Sequence, residues 1–261
     1  MPSEDPVRRI RLFHVAPTLL GLLALAVWEA AVRITGVPVY LVPGPIAIVR
    51  AFFADPNVLL MSLISTLTVT FAALIAAASL GALLAVGMAL SRLAQAAIQP
   101  WAVVLQVTPI VAIAPLIIVW VGNPFASLVV CATIVAFFPV LANTAEGLGS
   151  APHELTDLFR LYGAGRWKTL RLLRLPAALP YFLSGLRISG GLALVGAVVA
   201  EFVAGSGGFA SGLAYRILEA GYRLEIARMF AALVLLSLAG IAINLGLGAF
   251  GRAILRARGE G

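Results

Sequence analysis

The chain has 261 residues, of which 62% are hydrophobic and 11% charged, with a formal net charge of +7 and a mean hydropathy of +1.06. Soluble chains carry about 25% charged residues, so this composition excludes a soluble globular domain and predicts an all-α, polytopic membrane protein. The positive balance is explained by orientation in a lipid bilayer, with no nucleic acid as partner.

Arg8, Arg9 and Arg11 precede an apolar run. A first helix over 13–33 is too long for a signal peptide and no small-residue cleavage site follows, so it is expected to be retained. Within it Glu29 is placed either to snorkel to the membrane surface or to pair with Arg33 at i+4. Residues 35–61 hold Pro38, Pro43, Pro45, Asp55 and Pro56, which predicts a poor helix and an external loop. No charged side chain occurs from Pro56 to Ser91 or from Leu93 to Ala145. At about 20 apolar residues per span, these stretches accommodate spans at 62–90, 97–120 and 125–147, the last two separated by the Gly122-Asn123-Pro124 turn.

Pro100, Pro109 and Pro115 fall in the third span and Pro139 in the fourth. Proline removes a backbone donor and kinks a helix, which lipid tolerates where neighbouring helices or a cavity satisfy the freed groups. Pro109 and Pro115 are therefore candidates for a translocation path, and kinks that merely fit helices together explain them equally well. Cys131, the single cysteine, excludes an internal disulfide and is expected to pack. Fifth and sixth spans are predicted at 181–204 and 227–250, with Gly81, Gly87, Gly185, Gly190 and Gly191 allowing close helix approach. Arg187 and Glu201 share the fifth span but lie roughly 21 Å apart at helical rise, too far to pair. Glu201 is expected either to bond across the bundle or to face the path. Between these spans, residues 205–226 begin Gly205-Ser-Gly-Gly208 and carry Arg216, Glu219, Arg223 and Glu225, a turn and a short surface helix. His14 and His153 form no metal cluster, and no catalytic constellation is visible.

Residues 150–180 stand apart: a polar insert, flanked by Asn143 and Glu146, which are expected to cap or tether it. Ser150 is placed to cap a helix starting near Pro152, with Glu154 and Asp157 near its positive end. Leu155, Leu158, Phe159 and Tyr162 follow i, i+3, i+4, i+7 and share one face. Gly163 sits where a positive φ closes the helix. A second helix from about Arg166 spaces Lys168, Arg171 and Arg174 by three, and Leu175-Pro176 with Leu179-Pro180 is expected to end it. The insert reads either as an interfacial amphipathic helix on acidic lipid or as a handle for a soluble partner. Lys and Arg concentrate at the N-terminus, Arg92, the insert and the C-terminus, which predicts that both termini and the insert are cytoplasmic.

Asp157-Leu158-Phe159, three further residues, Gly163 and then Leu173-Arg-Leu-Pro176 resemble the cytoplasmic loop of binding-protein-dependent ABC importer permeases. The signature of that family is Glu-Ala-Ala, three residues, Gly, about nine residues and Ile-x-Leu-Pro, and here Asp replaces Glu while Leu and Phe replace the alanines. Ala114-Pro-Leu-Ile-Ile-Val-Trp-Val-Gly122 and Ala200-Glu201-Phe202 followed by Gly205-Ser-Gly-Gly208 resemble the branch serving sulfonate, nitrate, taurine and pyrimidine uptake. The likeness runs through most of residues 60–250.

The resemblance implies a single permease domain over residues 1–261 in a bacterial inner membrane, working as a homodimer with a cytoplasmic ATPase subunit and an external or periplasmic solute-binding protein. It implies that Glu154, Leu155, Asp157, Leu158, Phe159, Gly163, Ala164, Arg166 and Pro176 form the ATPase-coupling loop. The chain itself carries no phosphate-loop motif, so the ATP is used by the partner, and no cofactor or metal is expected on this chain. The implied substrate is a small organic anion or heterocycle, such as a sulfonate, nitrate, taurine or vitamin precursor. Two rivals are an ion-gradient-driven secondary transporter and a membrane scaffold recruiting a soluble partner. Inverted repeats and acidic groups at midplane would mark the former; no convincing repeat is visible.

Overall fold

In a computed structural model, residues 6–205 and 211–259 are described, with side chains from residue 16 onward. The charges of Arg8, Arg9 and Arg11, the His14 side chain and the Ser206–Gly208 part of the glycine turn lie outside the described side chains or residues. Every regular element among the described residues is helical. Five helices are long and apolar enough to cross a membrane, or six if one bent pair counts as a span.

The chain divides into two compact units, Met1–Leu59 with Arg216–Val234 and Leu60–Tyr215 with Leu235–Gly261. In the first unit lie α1 (Pro6–Thr35) and α2 (Pro45–Ala54). The stretch expected to be a loop is therefore helical over α2, and α3 (Pro56–Leu90) begins immediately after it. Proline does not break helices here because Pro45 and Pro56 each occupy the first position of one, where a fixed φ helps and no N–H is needed. No side chain of its own first turn caps α2. Instead Glu29 of α1 accepts the Ile46 backbone N–H at 3.2 Å while holding Arg33 at 2.7 Å, so the expected i+4 pair also serves a helix N-terminus. Trp28 packs its ring 6.0 Å from Phe230, and Arg228 bridges Asp55 and Glu225.

The second unit is built on α6 (Pro124–Gly149) and α9 (Leu175–Ala204), which pack against each other extensively. Close approach requires glycine here. A Cβ on Gly185 would stand 2.7 Å from the Pro139 carbonyl oxygen, and one on Gly196 2.8 Å from the Ala132 Cα. Ser189 adds a cross-helix bond, donating its hydroxyl to the Ala136 carbonyl at 2.6 Å. Cys131 is fully buried beside Ala200, Ala114 and Ile117, the packing role expected of it.

The third span is broken. α4 (Arg92–Val107) and α5 (Ile110–Val121) meet at 104° across Thr108-Pro109, whereas Pro100 and Pro115 lie inside continuous helix. Of the three prolines only Pro109 coincides with a break, because the residue before proline is steered to extended backbone and Thr108 has ψ 122°. α5 packs Ala114 and Ile117 against α6 and α9, and exposes Val111, Leu116, Val119 and Trp120. The short surface helix expected in 205–226 is α10 (Leu213–Tyr222), and α11 (Ile226–Ala257) closes the chain. On α10 the Arg216 guanidinium, bonded to Glu219 at 2.7 Å, and Arg223 at 2.9 Å hold that carboxyl below its ordinary value.

Overpacking a close-packed contact costs about 1–3 kcal/mol, so G185V is expected to lower the thermal midpoint of the purified protein and its yield. G87V, with nothing within 4 Å of the added Cβ, is the control expected to match wild type in fluorescence-detected thermal unfolding. Because the folded Glu219 pKa is lowered, its contribution is present above the ordinary value near 4.5 and is lost as pH falls through the folded value. E219Q should therefore flatten the acid limb of the stability–pH curve, by less than about 1 kcal/mol for a network this close to the surface.

Candidate functional site

The arginine-rich loop is assembled from two caps and a turn. α6 ends when Ser150 donates its hydroxyl back to the Gly147 carbonyl at 2.9 Å. Ser150 thus closes α6, and the expected cap on the next helix is instead Pro152, which offers no side-chain bond. The reason is spacing: α7 (His153–Leu161) starts too late for the Ser150 hydroxyl to face its first N–H groups. Asn143 likewise bonds within α6, to the Pro139 carbonyl at 2.8 Å.

Glu154 occupies the first turn of α7 and Arg160 the last, both favourable to the helix dipole. α7 ends in two bonds characteristic of a left-handed cap: the Gly163 N–H to Arg160 and the Ala164 N–H to Phe159, each 2.9 Å. Gly163 has φ +67°, and a Cβ added there would meet nothing within 4 Å, so backbone conformation alone selects glycine. Leu155 and Leu158 are about half-exposed, Tyr162 is 84% exposed, and Asp157 makes only a loose 3.4 Å contact with Arg160. The apolar face predicted from periodicity exists and finds little cover within this chain.

Beyond the turn the chain does not stop at Pro176. α8 (Arg166–Thr169) passes through a π-helical turn, Leu170–Arg174, directly into α9. The Leu175 N–H bonds to the Leu170 carbonyl, one residue wider than an α-helical bond. This extra residue accommodates Pro176, whose ring otherwise presses on the preceding turn, and a continuous helical rod runs from Arg166 to Ala204. Leu170 is buried with Leu148 and Ala85 in one core. Arg166 and Arg174 donate to the Leu90 and Ala89 carbonyls at 3.4 and 3.3 Å, satisfying the end of α3. The basic stripe read from the sequence is thus divided, Arg174 tying down a helix end while Lys168 and Arg171 remain exposed.

Glu201 lies at the far end of α9, about 37 Å from Pro176 at 1.5 Å per residue. Only 4% exposed, its Oε2 accepts from the Thr66 hydroxyl at 3.2 Å and the Ala214 backbone N–H at 3.1 Å. Thr66 in turn accepts from the Leu213 N–H at 2.9 Å. Together they cap the start of α10, and Gly212 leaves room for the carboxylate. Of the two sequence readings for Glu201, bonding across the bundle matches this geometry. Thr66 is absent from the residues singled out by sequence, although Ser62, Thr66 and Thr70, spaced by four in an apolar span and all buried, form a legible polar stripe. Arg187 is held by Asn244 Oδ1 at 2.8 Å. Pro109 and Pro115 are exposed. Removing a buried acceptor leaves its donors unsatisfied at about 1–3 kcal/mol each, so E201A should lower the thermal midpoint far more than E201Q, which keeps an acceptor oxygen.

Residues 77–256 match the family of binding-protein-dependent transport system inner membrane components. The chain is 34% identical over 226 residues to the formylaminopyrimidine transport permease protein ThiX of Halalkalibacterium halodurans, covering 86% of this chain and 88% of that one. It is 34% identical over 186 residues to the riboflavin transport system permease protein RibX of Chloroflexus aurantiacus, covering 70% and 69% of the two chains. It is 30% identical over 230 residues to the putative aliphatic sulfonates transport permease protein SsuC of Bacillus subtilis, covering 85% and 80%. A crystal structure of an amino acid ABC transporter with histidines shares the fold, with a TM-score of 0.63 at 17% identity over 79% of this chain and 96% of that one. With its helical spans and a match over most of its length, the chain belongs to the binding-protein-dependent transport system inner membrane components and is a multi-pass permease subunit of an ABC importer.

Proposed function

We propose that α7 and its glycine turn form the coupling element, the part of this permease seated on the ATPase subunit. The observation that carries this reading is the junction at Gly163. An exposed apolar helix is joined by a left-handed cap to a rod whose base, Leu170, is buried in the bundle core. A push on Leu155, Leu158 or Phe159 reaches α9 through Ala164 and Arg166 with few soft torsions between. Glu154 and Asp157 add acidic groups beside the apolar contact, and Pro176 keeps the rod's first turn rigid.

Counting the bent α4–α5 pair as one span gives six, and with it the Lys and Arg excess at the loop and C-terminus supports a cytoplasmic side for both termini. The exposed apolar face of α5, with Pro109 and Pro115 on it, suits a second copy of the chain across a shared path, giving a homodimer with two ATPase subunits and an external binding protein. The relatives named for formylaminopyrimidine, riboflavin and aliphatic sulfonates support a small heterocycle or organic anion as the substrate. Family membership argues against an ion-gradient carrier or a scaffold.

G163V forces a β-branched residue into left-handed backbone, a cost of about 1–2 kcal/mol. In proteoliposomes containing the ATPase and binding protein, it should separate ATP hydrolysis from uptake, lowering substrate transported per ATP while the complex still assembles. L158D should instead weaken co-purification of the ATPase. A G163V complex with wild-type transport per ATP, or L158D with unchanged assembly, refutes the coupling role. A ligand screen of the cognate binding protein identifies the substrate.

A further inference from the structure

A cleft of about 910 Å³ opens where the end of α3, the start of α4, the end of α6 and the arginine-rich loop come together. Four arginines line it, Arg92, Arg160, Arg166 and Arg174, and no Asp or Glu does. Arg166 and Arg174 each spend one N–H on an α3 carbonyl, and a guanidinium has five. Arg92 makes no ion pair among the described residues, and the contact of Arg160 with Asp157 is long and exposed. The first turn of α4, capped by Ser91 through the Ala94 N–H at 3.3 Å, adds the positive end of a helix dipole to the same wall.

Apolar side chains also line the cleft, among them Ala85, Met88 and Leu90, with Leu148 and Leu170 buried. Apolar lining weakens screening between like charges, so four arginines around a cleft that no Asp or Glu lines favour a bound anion. Tetrahedral phosphate oxygens suit several guanidinium forks at once, and the cavity has the size of a small-molecule site. Along α3, Leu84 lies one turn before the lining residue Met88, and Leu80 one turn earlier. Both are exposed, giving an apolar track away from the arginines.

We propose that this cleft binds a phosphate-bearing anion, either the headgroup of an acidic phospholipid with its acyl chain along α3 or a free polyphosphate. The bound anion bridges Arg92 at the start of α4 to Arg160 on α7, joining the loop to the bundle by a contact the chain itself does not make. Such a site stands on the cleft alone and is independent of the transported substrate.

The test uses the permease purified with its ATPase subunit, in discs of phosphatidylcholine alone or mixed with phosphatidylglycerol. Native mass spectrometry reads retained phosphatidylglycerol, and thermal unfolding in phosphatidylcholine discs titrated with inorganic pyrophosphate reads the soluble source. Wild type is expected to respond in one of these arms, with R92Q/R160Q binding about tenfold more weakly, the loss of a charge-assisted bond, and R92K/R160K falling between. R92Q alone alters one exposed side chain and should fold as wild type while still losing affinity. Equal binding by wild type and R92Q/R160Q, or no response in either arm, overturns the proposal. So does loss of the ATPase from R92Q/R160Q with anion binding unchanged, which would assign the arginines to the protein partner.

Discussion

The contact on which the larger unit depends is the backbone-to-backbone approach of α6 and α9. Lipid tails are as apolar as leucine, so helices in a bilayer gain little from hiding apolar surface and must associate through dispersion and directed bonds. Gly185 and Gly196 remove the Cβ atoms that would hold the two backbones apart, and Ser189 adds a hydrogen bond across the seam. α5 then packs on both partners through Ala114 and Ile117. α9 thereby becomes a fixed reference to which the loop at one end and Glu201 at the other are referred.

Continuity of the rod gives this reference its mechanical meaning. Had Pro176 ended a helix, the arginine-rich loop would hang from the bundle by flexible chain. The π-helical turn absorbs the proline instead, so α8 and α9 form one continuous helix and α7 joins it through the left-handed cap at Gly163. At the distal end, Glu201 and Thr66 cap α10, linking the rod to the segment that leads into the last span. A permease whose proposed task is to carry motion from a soluble motor across a membrane benefits from stiffness between these two points, and both are secured by polar contacts rather than by surface area.

Charge placement follows the same logic on the loop side. Arg166 and Arg174 satisfy the carbonyls at the end of α3, where cations are favoured by the helix dipole. Arg92 and Arg160 face the same cleft without such a duty, which is why the cleft retains unspent positive charge. In the sequence Lys168, Arg171 and Arg174 form one stripe because their spacing is regular. Tertiary contacts separate them, since a regular spacing on a helix says which residues share a face and nothing about what that face meets.

Composition and pattern alone determined that this chain lies in a membrane as a bundle of helices. They also placed most spans to within a few residues, put an amphipathic polar insert between the fourth and fifth, and singled out Gly163 as the residue that closes its first helix. These properties are local: they depend on how many apolar residues run together, on a period of 3.6, and on a positive φ that only glycine adopts cheaply. Tertiary structure decided whether each proline starts a helix, as Pro45 and Pro56 do, bends one, as at Pro109, or is absorbed, as Pro176 is. It also turned Glu201 into a helix cap and gathered four arginines around one cleft. Those outcomes turn on which backbone groups lack a partner once the helices have packed, and residues far apart along the chain, such as Thr66 and Glu201 or Arg174 and Ala89, must meet before that is settled.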